Sequence, residues 1–288
     1  MSRAARARRI AAAAAFGGGG VGAIGVAGIG LITVQARLAR RWIGTPFGTQ
    51  GPDAEGLYPP PGPAPRRGTP IELAVLGDSS AVGLGVQDPR DTAGAVVATG
   101  LAATTGRPVR VTVEAVVGAE SAHLEDQTDR LLARCPRPDV AIVMVGANDV
   151  THRVRPADAV RSLDAMVRRL RDRGTEVVVG TCPDLGTIEP IRPPLRYLAR
   201  RWSRELAAAQ TIAVVEAGGR TVSLGDLLGP EFAARPREMF SADRFHPSAA
   251  GYRRAAAALL PSACAALGYA PGGGPPQQPD VRRGEGMD

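Results

Sequence analysis

The stretch Ile71-Glu72-Leu73-Ala74-Val75-Leu76-Gly77-Asp78-Ser79 passes from an apolar run into a turn of small and polar residues. Near-continuous apolar runs of this length are typical of strands that are buried on both faces of a parallel sheet. Glycine followed by small polar residues lets the backbone turn sharply and leaves a hydroxyl exposed beside free amides. The stretch predicts a buried strand that ends at a serine, and a simple capped strand-to-helix turn is the alternative interpretation.

Four more runs rich in β-branched residues follow, and the segments between them have helical patterns. The clearest helix, Pro156 to Arg173, carries an apolar residue at every third or fourth position and has a proline in its first turn. Strands that alternate with helices indicate an α/β fold with right-handed crossovers. We therefore predict a three-layer α/β/α sandwich with a five-stranded parallel sheet. The other predicted strands are Val109 to Val117, Val140 to Val145, Val177 to Val179 and Ile212 to Val215.

The N-terminal segment, residues 1–42, precedes the predicted domain and contains seven arginines and no acidic residue. Within it, Ile10 to Val34 is charge-free; as a helix it would be about 37 Å long, and a hydrocarbon core is about 30 Å thick. Four arginines before this run and three after it place the N-terminus in the cytoplasm. We expect a membrane anchor that leaves the predicted domain extracytoplasmic. Cleavage as a signal peptide near Val34-Gln35-Ala36, which would release a secreted protein, is the alternative.

Two further segments flank the predicted domain, which spans residues 71–268. In residues 43–70, 14 of 28 residues are Gly or Pro, which predicts an extended linker without a core of its own. Residues 269–288 are poor in apolar side chains and are predicted to form a disordered tail.

The charge distribution excludes a nucleic-acid partner. The net charge is +7, but outside the N-terminal segment 28 arginines balance 28 acidic residues. Nucleic-acid binding needs a local concentration of cations to displace counterions, and the predicted domain has none. The glycines after the first strand match neither phosphate-binding motif, so no nucleotide cofactor is expected. Cys135, Cys182 and Cys264 form no C-x-x-C pair and are read as small buried thiols, with at most one disulfide.

Ligands of such sheets bind at the carboxyl ends of the strands, and polar or small residues follow three of the predicted strands there. Ser79 follows the first, Gly118 the second and Asn148 the third. A backbone amide and a side-chain amide are the two donor types that stabilise an oxyanion, although each of these residues could also serve as a turn or a cap.

A serine nucleophile needs a general base, and the chain offers three histidines. His123 falls in a predicted surface helix, Ser121 to Ala133, and His152 follows Asn148 closely enough to line the site. His246 is the best candidate, because Asp243 lies three residues earlier and can fold back to fix the ring tautomer and stabilise the imidazolium.

Together these pieces resemble the four sequence blocks of the SGNH hydrolases, also called the GDSL esterase/lipase family. The matching residues, in order and approximate spacing, are Gly77-Asp78-Ser79, Gly118, Gly146-x-Asn148-Asp149 and Asp243-x-x-His246. The other large serine hydrolase fold is excluded because it needs G-x-S-x-G, and position 81 is Ala.

The resemblance implies a role for each matching residue and a fold for the domain. Ser79 would be the nucleophile, His246 the acid and base, and Asp243 its orienting partner. The oxyanion hole would consist of the Ser79 and Gly118 amides and the Asn148 side chain. The resemblance also implies a flavodoxin-like strand order, 2-1-3-4-5, and ester hydrolysis without a metal or an organic cofactor.

We therefore predict a serine esterase that acts on lipid or acetylated carbohydrate esters through an acyl-enzyme. The first alternative is an acyltransferase of the same fold that moves the acyl group to a carbohydrate or lipid hydroxyl. Two others are a binding module whose site has decayed and a metal site built from Asp78, Asp149, Asp243 and His246.

One predicted helix, Leu195 to Ala209, has two interpretations. It carries an apolar stripe, Leu195, Leu198, Trp202 and Leu206, with Arg196, Arg200, Arg201 and Arg204 around it. This pattern is typical of an amphipathic helix that packs on the sheet. The alternative is a lid that touches acidic lipid headgroups.

Overall fold

The computed structural model describes residues 30–39, 41–44, 46–62 and 68–269, and a six-stranded sheet lies at the centre of this part of the chain. The strand order is β1-β3-β2-β4-β5-β6; β1 pairs antiparallel with β3, and the other four pairings are parallel. The strands are β1 (Gly56–Tyr58), β2 (Ile71–Gly77), β3 (Val109–Val113), β4 (Val140–Met144), β5 (Glu176–Gly180) and β6 (Arg220–Val222).

The helices fill the connections between the strands. Helical residues 30–39 and 41–43 are here called α1. The other α-helices are α2 (Ser79–Val82), α3 (Ala93–Thr105), α4 (Leu124–Arg134), α5 (Ala147–His152), α6 (Pro156–Arg171), α7 (Leu195–Glu216), α8 (Leu224–Ala234), α9 (Pro236–Met239) and α10 (Ala249–Ala266). Short 3-10 turns cover Pro89–Asp91, Ser121–His123 and Leu185–Thr187.

Helices cover both faces of the sheet because successive strand residues point in opposite directions. On one face, Leu73 and Val75 of β2 pack in a buried cluster with α3 and α10. On the other face, Ala74 and Leu76 pack in a second cluster with α4, α6 and α7. This arrangement confirms the predicted α/β/α sandwich.

The parallel part of the sheet has the predicted order, since β3, β2, β4, β5 and β6 correspond to 2-1-3-4-5. The predicted count of five strands is wrong by one, because β1 adds an antiparallel strand at the edge beside β3. β1 lies within residues 43–70, the segment predicted to be a linker. Glu55, next to β1, accepts a hydrogen bond from the Val113 amide and pairs with Arg134, which ties the strand to the domain.

The fifth parallel strand was predicted at the wrong place. Ile212 to Val215 belongs to α7, and the strand is Arg220–Val222. Ile212 and Val215 are exposed while Val214 is fully buried, which is the periodicity of a helix that has one face on the sheet. A four-residue apolar run does not distinguish strand from helix by itself.

The N-terminal and C-terminal predictions fall largely outside the described residues. Residues 1–29 of the predicted anchor and residues 270–288 of the predicted tail are not described. The end of the charge-free run, residues 30–34, belongs to α1. No helix within the described ranges is long and apolar enough to cross a membrane.

Candidate active site

Ser79 lies where β2 turns into α2, and the turn depends on the glycine two residues earlier. Gly77 has a φ of +129°, and a Cβ there would stand 1.9 Å from the Met144 carbonyl oxygen. Only glycine therefore lets β2 pass this close to β4 and turn. Asp78 caps α2 by accepting a hydrogen bond from the Ser80 amide, so Ser79 becomes the first residue of the helix.

The three predicted triad residues form one hydrogen-bonded chain. The Ser79 hydroxyl oxygen is 3.0 Å from His246 Nε2, although 167 positions separate the two residues in the sequence. His246 Nδ1 is 2.6 Å from Asp243 Oδ2. The three groups therefore stand at the distances that proton transfer between a hydroxyl, an imidazole and a carboxylate requires.

Asp243 is buried and is held as a carboxylate. Burial by itself would raise its pKa, but hydrogen bonds from the His246 ring, the Phe245 and His246 amides and the Ser241 hydroxyl together lower the pKa below the ordinary value. A carboxylate in this state accepts the imidazole N–H and stabilises the imidazolium. Ser241 was not identified from the sequence.

Close contact with a glycine fixes the position of the His246 loop. Gly85 has a φ of +109°, and a Cβ there would stand 3.0 Å from His246 Cβ and 2.7 Å from the Pro247 carbonyl oxygen. The Tyr252 hydroxyl also donates a hydrogen bond to the Leu84 carbonyl oxygen at 2.6 Å, which links α10 to the segment that carries Gly85. Sequence reasoning missed Gly85, because only the tertiary structure shows what lies against it.

Asn148 is held so that one of its two amide hydrogens stays available. Its Nδ2 donates to the Ala119 carbonyl oxygen at 2.9 Å, and Asn148 lines the same cleft as Ser79 and His246. A primary amide has two hydrogens, so the second can meet an oxyanion.

Gly118, the residue before Ala119, has a φ of +82° in a turn that follows β3. Among the described residues, neither its amide nor that of Ser79 is matched with a hydrogen-bond acceptor. The segment after β3 continues along β2, where the Val116 amide bonds the Gly77 carbonyl oxygen. Gly118 is thus placed beside the turn that carries Ser79, although it does not line the cleft itself.

The other two histidines lie away from the triad. His152 Nδ1 pairs with Glu120 Oε1 at 2.6 Å on the surface, a carboxylate partner that sequence reasoning did not identify. His123 Nδ1 accepts a hydrogen bond from the Glu120 amide. Asp149 is fully buried and accepts hydrogen bonds from the Ser121 amide and hydroxyl, so it holds the segment after β3.

Burial raises the pKa of two buried groups near this turn. Burial raises the pKa of Asp78 to about 6, against hydrogen bonds from Ser80 that oppose the shift. Burial also raises the pKa of the Cys182 thiol well above its ordinary value. All three cysteines are unpaired, Cys182 and Cys264 are buried, and Cys135 is half-buried. A neutral, buried thiol is a poor nucleophile, so Cys182 does not compete with Ser79.

The cleft beside Ser79, here called the acyl cleft, is lined mainly by apolar side chains. Three of them, at spacings of four, come from one side of α8; the others come from the turn after β5 and the His246 loop. The principal apolar residues are Leu185, Ile188, Leu224, Leu228, Phe232 and Phe245.

The alternative metal site receives no support from the arrangement of ligands. Within the described part of the chain, no group of three or more His, Cys, Asp or Glu side chains is placed to hold a metal ion. Asp243 and His246 contact each other, whereas Asp78 caps α2 and Asp149 binds Ser121.

α7 matches the amphipathic interpretation of the helix predicted at Leu195 to Ala209, and it extends to Glu216. Leu195 and Leu206 are buried in its apolar face. Its arginines bind within the molecule: Arg200 pairs with Asp184, and Arg201 pairs with Glu205.

Comparison with known proteins finds similar sequences that belong to one family. The model of the GDSL-like lipase/acylhydrolase family matches residues 75–254. A GDSL-like esterase of Mycobacterium tuberculosis is 45% identical over 235 residues, which cover 80% of this chain and 74% of that protein.

Solved structures are similar in fold. A lipase/acylhydrolase from Enterococcus faecalis has a TM-score of 0.52 at 22% identity and covers 66% of this chain and 93% of its own. An acetylxylan esterase from Geobacillus stearothermophilus, solved as a catalytic mutant, has a TM-score of 0.52 at 18% identity, with 71% and 97% covered.

Proposed function

The chain belongs to the GDSL-like lipase/acylhydrolase family and is an ester hydrolase, and from that premise we propose that it works through an acyl-enzyme formed on Ser79. The observation that carries the proposal is the 3.0 Å separation between the Ser79 hydroxyl and His246 Nε2. A serine hydroxyl is almost wholly protonated at neutral pH, so a base at this distance is what makes it a nucleophile.

In the first step the Ser79 oxygen attacks the ester carbonyl carbon while its proton moves to His246 Nε2. Asp243 keeps the ring in the tautomer that presents an unprotonated Nε2 and then stabilises the imidazolium. The new C–O bond converts the carbonyl oxygen into an oxyanion. We assign the Ser79 amide, the Gly118 amide and Asn148 Nδ2 as its donors.

The tetrahedral intermediate then collapses. The bond from carbon to the alcohol oxygen breaks, His246 gives its proton to the departing alcohol, and the acyl group remains on Ser79. Water repeats the sequence, with His246 as base and then acid, and releases the carboxylic acid. The proton removed from water returns to the Ser79 oxygen, so the enzyme is regenerated without net consumption of any group.

The lining of the acyl cleft supports an ester with an aliphatic acyl chain over an acetylated carbohydrate. Leu224, Leu228 and Phe232 present a continuous apolar wall close to the nucleophile. Each methylene group of an acyl chain that is buried against this apolar surface contributes about 0.8 kcal/mol of favourable binding free energy. A carbohydrate alcohol with an acetyl group would leave most of that wall without a partner.

A panel of soluble esters that differ only in acyl length tests both parts of this proposal. We expect activity to rise from acetyl to medium-length chains and the released acid to equal the ester consumed. Ser79→Ala should lower turnover by roughly 10⁶-fold, the loss typical of a removed serine nucleophile. Ser80→Ala, which removes the neighbouring hydroxyl, is the matched control and should retain activity. Equal loss in both variants would refute the assignment of the nucleophile.

We also propose that the catalytic domain is extracytoplasmic, held by the N-terminal segment or released after cleavage. The arginine distribution around the charge-free run supports this orientation. Protease protection in intact cells and N-terminal sequencing of the mature protein test it. A full-length chain that is protected inside the cell would contradict the proposal.

A further inference from the structure

The outer face of α1 carries an exposed apolar stripe beside the catalytic domain. Leu31, Val34 and Leu38 are each about half exposed and Trp42 is 66% exposed. The spacings of three and four place Leu31, Val34 and Leu38 within an arc of roughly 60° on a helix of 3.6 residues per turn. Trp42 lies in the helical residues 41–43 that come next among the described residues. The described surface thus presents a contiguous strip of large apolar side chains, which is unusual for a face in contact with water.

The neighbouring face of α1 is fastened to the domain, so the stripe has a fixed orientation. Ala39 is buried, and Ile32 and Ala36 pack against the same apolar cluster. Gln35 makes two hydrogen bonds: Nε2 donates to the Pro193 carbonyl oxygen at 2.7 Å, and Oε1 accepts from the Leu195 amide at 3.3 Å. The exposed stripe is therefore not the packing face of the helix.

α1 contacts the loop that supplies one residue of the acyl cleft. Gln35 holds the loop that precedes α7, and the same loop begins with Ile188, which lines the cleft. Ile188 and Ala39 belong to one buried cluster. The helix that carries the stripe is therefore joined, through its packing face, to a cluster that supplies one residue of the cleft.

The charge around the stripe indicates which kind of partner surface the stripe binds. Residues 30–44 contain Arg37, Arg40 and Arg41 and no acidic residue, and both described arginines, Arg37 and Arg41, are exposed. Two copies of this chain that met through the stripe would bring like charges together, which opposes a dimer. An anionic lipid surface offers the opposite charge and an apolar layer at the right depth. Tryptophan is also enriched at membrane interfaces.

The chain ahead of α1 points to the same partner. The charge-free run from Ile10 continues without a charged residue to Val34, which is part of the stripe. A helix that lies on a membrane, rather than spanning it, combines one apolar face with flanking arginines. We propose that α1 is an interfacial helix whose outer face rests in the headgroup region of an anionic bilayer and holds the acyl cleft next to that lipid.

This proposal goes beyond the proposed function and can be tested without activity. In the full chain, Trp202→Phe leaves Trp42 as the remaining tryptophan, because the sequence contains two. Its emission should shift to the blue and be quenched by brominated lipids when vesicles rich in phosphatidylglycerol are added. Binding should fall steeply with salt and be much weaker on purely phosphatidylcholine vesicles.

Leu38→Glu should lower the vesicle partition coefficient roughly tenfold or more, since it removes the burial of one leucine and adds a repelled charge. Ile212→Glu is the matched control: it places the same charge on a similarly exposed apolar position of α7 and should bind as the wild type does. Both variants should hydrolyse soluble esters normally, while Leu38→Glu alone should lose activity on esters embedded in vesicles.

Three results would overturn the proposal. The first is unchanged vesicle binding in Leu38→Glu, which would assign the binding to the residues before α1. The second is equal affinity for anionic and zwitterionic vesicles. The third is a blue shift that depends on protein concentration without lipid, which would indicate a second copy as the partner. Repeating the binding assay in Ser79→Ala separates a failure of this proposal from a failure of the hydrolytic one.

Discussion

Replacing Asp78 with Asn should make the protein more stable at neutral pH, and the size of the gain follows from the burial of this carboxyl next to Ser79. Asp78 is 2% exposed, and burial raises its pKa from about 3.8 to about 6. Asparagine keeps an oxygen for the Ser80 amide and caps a helix about as well as aspartate. The substitution thus removes the charge and retains the hydrogen bond.

The sign of the pH dependence of stability follows from proton linkage. Below pH 3.8 the carboxyl is protonated in both the folded and the unfolded chain, so its burial has no electrostatic cost. As the pH rises from 3.8 to 6 the unfolded chain ionises first, and wild-type stability falls. The difference between these two pKa values corresponds to a cost of about 3 kcal/mol at pH 8 and about 1 kcal/mol at pH 4.5.

Urea unfolding of the wild type and Asp78→Asn at several pH values measures this effect. The stability advantage of the variant should grow by about 2 kcal/mol between pH 4.5 and pH 8. Asp88→Asn is a matched control, because Asp88 also caps a helical turn but is exposed. Hydrogen bonds from the Arg90 side chain lower the pKa of Asp88, so this control should change with pH in the opposite direction. A stability advantage of Asp78→Asn that does not vary with pH would refute the reasoning.

Three further predictions concern turnover. Asn148→Ala should lower kcat by about 10² to 10³-fold, the typical loss of one oxyanion donor, and an unchanged rate would reject its role. Gly85→Ala should reduce kcat because the new methyl displaces His246. Gly106→Ala, at a position that also has a positive φ but has open space around it, should affect stability alone; steady-state kinetics and urea unfolding measure both variants. In a chain-length panel, Leu228→Phe should reduce kcat/KM for long acyl chains more than for acetyl. Leu227→Phe, on the exposed side of α8, should change neither value. An equal reduction of kcat/KM for long and short acyl chains in Leu228→Phe would indicate that the acyl chain binds elsewhere.

Sequence patterns predicted the layers of the fold because they depend on local periodicity. The strand from Ile71 and the helix from Pro156 stand where the apolar pattern placed them, within two residues. The pattern failed at Ile212 to Val215, since a short β-branched run fits either a buried strand or one turn of a buried helix. It also missed β1, because a three-residue edge strand among prolines has too few residues to show alternation.

The candidate site was less accessible to sequence reasoning, because its geometry joins distant parts of the chain. The match to four family blocks identified Ser79, Asp243 and His246, and the structure brings these three together. Their catalytic roles, with those of Gly118 and Asn148, stay predictions. Spacing alone gave no sign of Gly85, whose role comes from what packs against it in space.

The proposal that Ser79 carries the acyl group is tested most directly by quenching the reaction in acid and mapping the modified peptide by mass spectrometry. We predict that a substrate with a slowly hydrolysed acyl chain leaves its acyl mass on the peptide containing Ser79, at Ser79 itself, and that Ser79→Ala yields no adduct. An adduct on Ser80 or Cys182, or full turnover in Ser79→Ala, would contradict the account.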